Sequence, residues 1–236
     1  MINVSLSGRV GKEQVNAGGF LSIAIDQYKK GAEGNRETSW ISVYIPDHLR
    51  EYTNKLEKGN AVDVIGQLDF TEDEYNGEKI VRLTLFASSI KKTFAANGGN
   101  CFFIKSARLG KDPVASKNGY MLNLAYDVWS KGESSTRWVT GFTANDAVAK
   151  KIDLLNAKKG TGLDVIANSF SATINERGYV NVILNIVDVT YAAFNKKREE
   201  NSTEVNQGSP ENKPEDVQGD NVEEFDIDSL DDMDFF

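Results

Sequence analysis

The chain has 236 residues, 40% of them hydrophobic, with a formal net charge of −8; this length suits one large or two small domains. One cysteine (Cys101) and one histidine (His48) exclude an intramolecular disulfide and leave a zinc site without ligands, so neither metal nor other cofactor is expected. No apolar run approaches the ~20 residues of a membrane span, and MINVSLSGRV lacks the basic-then-apolar pattern of a secretory signal, so the expectation is a cytoplasmic protein that binds rather than converts.

Along the chain, Ile2, Val4 and Leu6 alternate with polar residues. So do Leu21, Ile23 and Ile25; Ile41, Val43 and Ile45; Val62 and Val64; and Val81, Leu83 and Leu85. A period of two predicts five half-buried strands. Between the third and fourth, Leu49, Tyr52 and Leu56 form one helical stripe in DHLREYTNKLE, with Pro46 and Asp47 as its start and Gly59 as its stop.

A second unit then repeats the first in order. GRVGK (8–12) matches ARLGK (107–111), and LSIAIDQY (21–28) matches LNLAYDVW (122–129). TSWISVY (38–44) matches TRWVTGF (136–142), and KGNAVDVIGQ (58–67) matches KGTGLDVIAN (159–168). Four segments in one order at nearly constant offset indicate a duplicated domain rather than a solenoid. The repeated helix carries Val148, Ile152 and Leu155 and stops at Gly160. Five strands with a helix between the third and fourth is the plan of the OB-fold, a Greek-key barrel that binds oligonucleotides; a different small β-barrel with an inserted helix is the alternative. The expected organisation is an all-β chain of two tandem five-stranded barrels, 1–95 and 101–195, joined by a short linker, 96–100, within AANGGN.

After Phe194 the composition changes. Residues 1–195 hold 23 Lys+Arg and 21 Asp+Glu, whereas residues 196–236 hold 4 and 14, so a near-neutral body carries a strongly acidic tail. The tail has too few large apolar residues to offset chain entropy, and disorder is expected there. At its end, DDMDFF sets Phe235 and Phe236 behind Asp231, Asp232 and Asp234. Two rings without a core of their own suit an apolar pocket with a basic rim on a partner protein.

If Ile41, Val43 and Ile45 face the core, Trp40 and Tyr44 face outward; in the second unit Trp138 and Phe142 do the same. The second strands end in Tyr28 and Trp129, and Phe70, Tyr75 and Phe170 are further aromatic candidates near the fourth strands. Basic residues lie close by: Lys12, Lys29, Lys30, Arg36 and Arg82 in the first unit, Lys111, Lys131 and Arg137 in the second. Rings interleaved with cations suit single-stranded nucleic acid, where bases stack and phosphates pair. Packing of these rings into a subunit interface, or under a loop, is the alternative. The hairpin YNGEK (75–79) is flanked by Asp69, Glu72, Asp73 and Glu74, which would repel phosphate. Cys101, opening the apolar run CFFI, is expected to be buried.

MINVSLSGRVGKE, TSWISV, LEKGNAVDVIGQL and DDMDFF together resemble the opening, third-strand Trp motif, helix-to-strand segment and acidic tip of the bacterial and phage single-stranded DNA-binding proteins. Two units in one chain is similar to the arrangement in the Deinococcus–Thermus group, in which two chains supply four units. The resemblance implies stacking roles for Tyr28, Trp40, Trp129 and Trp138, a homodimer, a nucleoid-associated location, and recruitment of DNA-processing proteins through the tip. The chain departs from that pattern at Pro46, in its acidic hairpin, and in ending Phe-Phe rather than Pro-Phe. An OB-fold adaptor for RNA or protein is the competing reading. A nuclease is disfavoured, since the acidic residues concentrate in the hairpin and tail rather than in a metal-binding cluster.

Overall fold

The computed structural model describes residues 2–12, 15–28, 36–95, 99–116, 119–130, 132–175 and 178–192. The acidic tail, with Asp231, Asp232, Asp234, Phe235 and Phe236, lies outside the described residues, as do Lys29, Lys30 and Lys131.

The first unit comprises β1 (Ile2–Val10), β2 (Phe20–Tyr28), β3 (Arg36–Tyr44), α1 (Asp47–Thr53), β4 (Ala61–Tyr75) and β5 (Glu78–Lys92). The second comprises β6 (Cys101–Leu109), a short β7 (Val114–Ser116), β8 (Gly119–Ser130), β9 (Glu133–Thr143), α2 (Asp146–Leu154), β10 (Gly162–Ile174) and β11 (Val180–Tyr191). In the first, strands run β2-β3-β5-β4-β1 and β1 pairs back onto β2, closing a five-stranded barrel; β3 and β5 are parallel. The second closes identically through β6 and β8, with β9 parallel to β11. These are two OB-fold barrels, as the alternation predicts. β7 is an addition to the second, pairing with β8 through Val114↔Met121.

Alternation builds each core. Ile2, Val4 and Leu6 point inward with Leu21, Ile23, Ile25, Ile41 and Val43, all buried. Each helix plugs one barrel end: Val148 and Ile152 of α2 are buried, and Asn145 caps it by accepting from the Ala147 amide at 2.9 Å. Both helices end earlier than their apolar stripes. The chain then turns through Gly59 and Gly160, at φ +86 and +87, where a side chain would be strained.

The barrels are joined strand to strand. β1 pairs antiparallel with β6 through Asn3↔Phe103, Val4↔Phe102 and Ser5↔Cys101, so one sheet runs through both units. Antiparallel pairing of two equivalent strands gives the joint the two-fold character of an isologous interface. Cys101 is exposed rather than buried. It stands opposite Ser5, which itself stands opposite Ile65, and that row faces away from both cores.

The β4–β5 and β10–β11 hairpins continue past the barrels and cross. Phe70 meets Phe170 edge-on at 5.6 Å, and Phe170 meets Phe102 at 5.2 Å. Pairs of this kind contribute about 0.5–1.5 kcal/mol each beyond their burial. The crossing fixes one barrel against the other.

Candidate nucleic-acid interface

Trp40 and Trp138 occupy equivalent places on β3 and β9, outward-facing and 58% and 50% exposed. What holds each ring is a pair of small residues. Directly across the ladder stand Ala24 and Ala125. Beneath the rings lie Gly11 and Gly110, just after β1 and β6. Their amides donate to Ser22 at 2.8 Å and Asn123 at 2.9 Å, docking each turn against the second strand of its barrel. A methyl group on Gly11 would lie 3.1 Å from Cη2 of Trp40 and closer still to Cζ3; on Gly110 it would lie 2.8 Å from Cη2 of Trp138. Each indole therefore rests on bare backbone and turns its other side to solvent. Lys12 and Lys111 follow these glycines in the sequence.

The first barrel extends this surface. Tyr44 is half-buried, packed at 5.5 Å from Phe20 and 6.0 Å from Phe86, its partners on either side in the sheet. Phe86 remains substantially exposed, and sequence reasoning did not single it out. Its signal was available, since Phe86 shares a strand face with Arg82. Arg82 forms a close ion pair with Asp73, and Lys79 pairs with Glu72 at 2.7 Å, so the acidic hairpin is partly neutralised from within. Tyr75 is exposed near the hairpin tip. Tyr28, Arg36 and Trp129 fall on β2, β3 and β8, but their side chains lie outside the described residues.

Three aromatic candidates are corrected. Phe70 is 6% exposed and Phe142 and Phe170 5% each, which leaves no open ring face for a base. Phe70 and Phe170 form the crossing between hairpins. Phe142 is covered by Met121 and Ile183. Met121 takes the place of Phe20, and Ile183 and Asn185 the places of Thr84 and Phe86, so the second barrel loses the aromatic row beside its Trp.

Arg137 is exposed beside Trp138. Two hydrogen bonds brace the strands on the same face as the Trp residues, at matched positions: Thr38 to Asp26 and Thr136 to Asp127, both 3.0 Å. Arg108 adds an ion pair to Asp127 at 3.1 Å. The arrangement offers one exposed aromatic platform on each barrel, which can hold flat rings.

No family model and no curated protein matches the sequence. Among solved structures, the chain is similar to the wild-type single-stranded DNA binding protein from Thermus aquaticus, at TM-score 0.50 and 15% identity, covering 90% of this chain and 97% of that one. A deletion variant of the Thermus protein gives TM-score 0.50 and 16% identity over 90% and 98% of the two chains. A small single-stranded DNA-binding protein from Streptomyces coelicolor aligns with 41% of this chain and 96% of its own, at TM-score 0.34 and 20% identity. The chain shares the two-barrel fold of the Thermus aquaticus protein.

Proposed function

We propose that the protein binds single-stranded DNA with little sequence preference, covering it during replication, recombination and repair, and that it is not an enzyme. One observation carries this reading: each barrel holds a Trp on a glycine seat with one side open. Stacking contributes ~1–3 kcal/mol per base and accepts any base, whereas a duplex hides the faces that would stack. Phosphate pairing makes binding weaken as salt rises. The structurally similar Thermus aquaticus proteins are single-stranded DNA binding proteins, which supports the same assignment. The test is tryptophan fluorescence during titration with oligo-dT and with duplex of equal length. Strong quenching by oligo-dT alone supports the proposal; unchanged emission with no mobility shift at low salt refutes it. Competition with RNA of equal length separates it from an RNA adaptor.

Two finer parts belong to the same proposal. The chain pairs with a second copy, bringing four barrels together. The outer face of the shared sheet, where exposed Ile65 lies beside Ser5 and Cys101 and half-buried Phe103 stands opposite Ile166, suits that contact. A monomer mass by light scattering would remove this part. The tip Asp231, Asp232, Asp234, Phe235 and Phe236 recruits DNA-processing proteins. Deleting Phe235 and Phe236 then abolishes partner capture while single-strand affinity stays about unchanged; capture that survives leaves the tip with charge alone.

A further inference from the structure

The crossing of the hairpins leaves a cleft of about 440 Å³ between the barrels. Clefts of roughly 300–1,000 Å³ hold small organic molecules. The first barrel contributes Asp69 and Glu72 of β4. The second contributes Trp138 and Arg137 of β9, Tyr179 before β11, and Tyr126 of β8. The exposed aromatics Trp138 and Tyr179 stand on its walls. The cleft thus begins on the platform already described and leads away from it, beneath the hairpin of the other barrel.

Two features of its lining bear on what it can hold. The first is Tyr126, nearly fully buried, where the matched position of the first barrel holds Ile25. A phenol has replaced an alkyl group in this barrel only, and it faces the cleft. Burial raises its pKa to about 12, with Asp69 adding to the rise and Arg137 opposing it. The second is Asp69. Its Oδ1 accepts from the Phe70 amide at 3.0 Å, and a carboxylate has further acceptor sites beyond that one bond. Glu72, by contrast, is held by Lys79 at 2.7 Å.

The chemistry selects the occupant. Carboxylates repel phosphate, so the sugar–phosphate chain stays at the mouth, near Arg137. Aromatic walls take a flat ring. A carboxylate acceptor on the wall pairs with a ring that carries N–H donors at its edge: an aspartate or glutamate accepts from the exocyclic amine of cytosine, where thymine presents a carbonyl oxygen. We infer that the inter-barrel cleft receives one base of the bound strand and favours a base with an exocyclic amino group over thymine, with Asp69 as the acceptor. The inference rests on the single-strand reading above and adds a local preference to an otherwise tolerant surface.

Competition binding on the full chain tests it, with oligo-dT and alternating d(TC) of equal length as probes. Asp69→Ala should lower affinity for d(TC) relative to oligo-dT by about tenfold, the size expected for a hydrogen bond to a charged group. Its affinity for oligo-dT should not fall, because the carboxylate removed repels phosphate and the thymine carbonyl, and an unchanged urea midpoint reports an intact fold. Tyr126→Phe, which removes only the hydroxyl, should shift the ratio in the same direction. An unchanged ratio in Asp69→Ala overturns the inference while leaving single-strand binding in place. Failure of the wild-type protein to bind either oligonucleotide overturns both.

Discussion

The glycine seats can be tested by adding one methyl group to each. In Gly11→Ala and Gly110→Ala the new Cβ would lie 3.1 and 2.8 Å from Cη2 of Trp40 and Trp138, with Cζ3 nearer still and, at Gly110, with Oδ1 of Asn123 also too close, so the indole must move, together with the Asn123 side chain in the second barrel. The ring is half exposed, so it can swing toward solvent, and the stability cost should be about 1 kcal/mol or less. The binding cost is larger. A ring off its seat no longer offers a fixed platform, and the stacking forfeited is ~1–3 kcal/mol per base, or roughly 5- to 150-fold in affinity per site. Fluorescence titration with oligo-dT reads this directly, because the displaced indoles also report by reduced quenching. Gly99→Ala is the matched control, since a methyl there meets nothing within 4 Å. Wild-type affinity and quenching in the Gly11→Ala/Gly110→Ala protein would refute the seat argument.

Other outcomes follow from the same geometry. Trp40→Ala and Trp138→Ala should each weaken oligo-dT binding by ~1–3 kcal/mol with little change in the urea midpoint. Phe170→Ala should instead lower unfolding free energy by about 3–5 kcal/mol, because a ring buried between Phe70 and Phe102 leaves a cavity. Denaturant unfolding of these three variants checks both claims. Tyr126 gives a pH signature. Its hydroxyl titrates near 12 when folded and near ~10 when unfolded, so the stability held by its neutral form is complete below pH ~10 and is lost as pH rises toward 12. Tyr126→Phe lacks that group, so its stability should fall less than wild type across this window; parallel curves would contradict the assignment.

Much of this was legible in the sequence because it depends on local period. Alternation places Ile2, Val4 and Leu6 inward whatever the barrel does around them, and the ordered repeat fixes two equivalent units. Trp40 and Trp138 stand where alternation puts them. The glycine seats were visible too, as the shared final glycine of GRVGK and ARLGK, but the need for them appears only when the indole is seen lying across them. What depends on distant neighbours was not legible. Phe70 keeps the phase of Val62 and Val64, so alternation already turns it inward, but Phe170 is out of phase with Leu163 and Val165 until a bulge around Ala167 shifts the register, and the crossing of the hairpins packs the two rings together. Phe142 sits at the equivalent of Tyr44, yet Met121 and Ile183 cover it. Cys101 begins an apolar run, but pairing with β1 turns it to the outer face of the shared sheet.

The central claim is that bases of a single strand lie on Trp40 and Trp138. Ultraviolet cross-linking of the full chain to oligo-dT, followed by mass-spectrometric mapping of the modified residues, tests it most directly. The account predicts adducts at Trp40 and Trp138, lost when excess single strand competes and absent with duplex. Adducts confined to the outer face of the shared sheet, around Ile65 and Phe103, would contradict it.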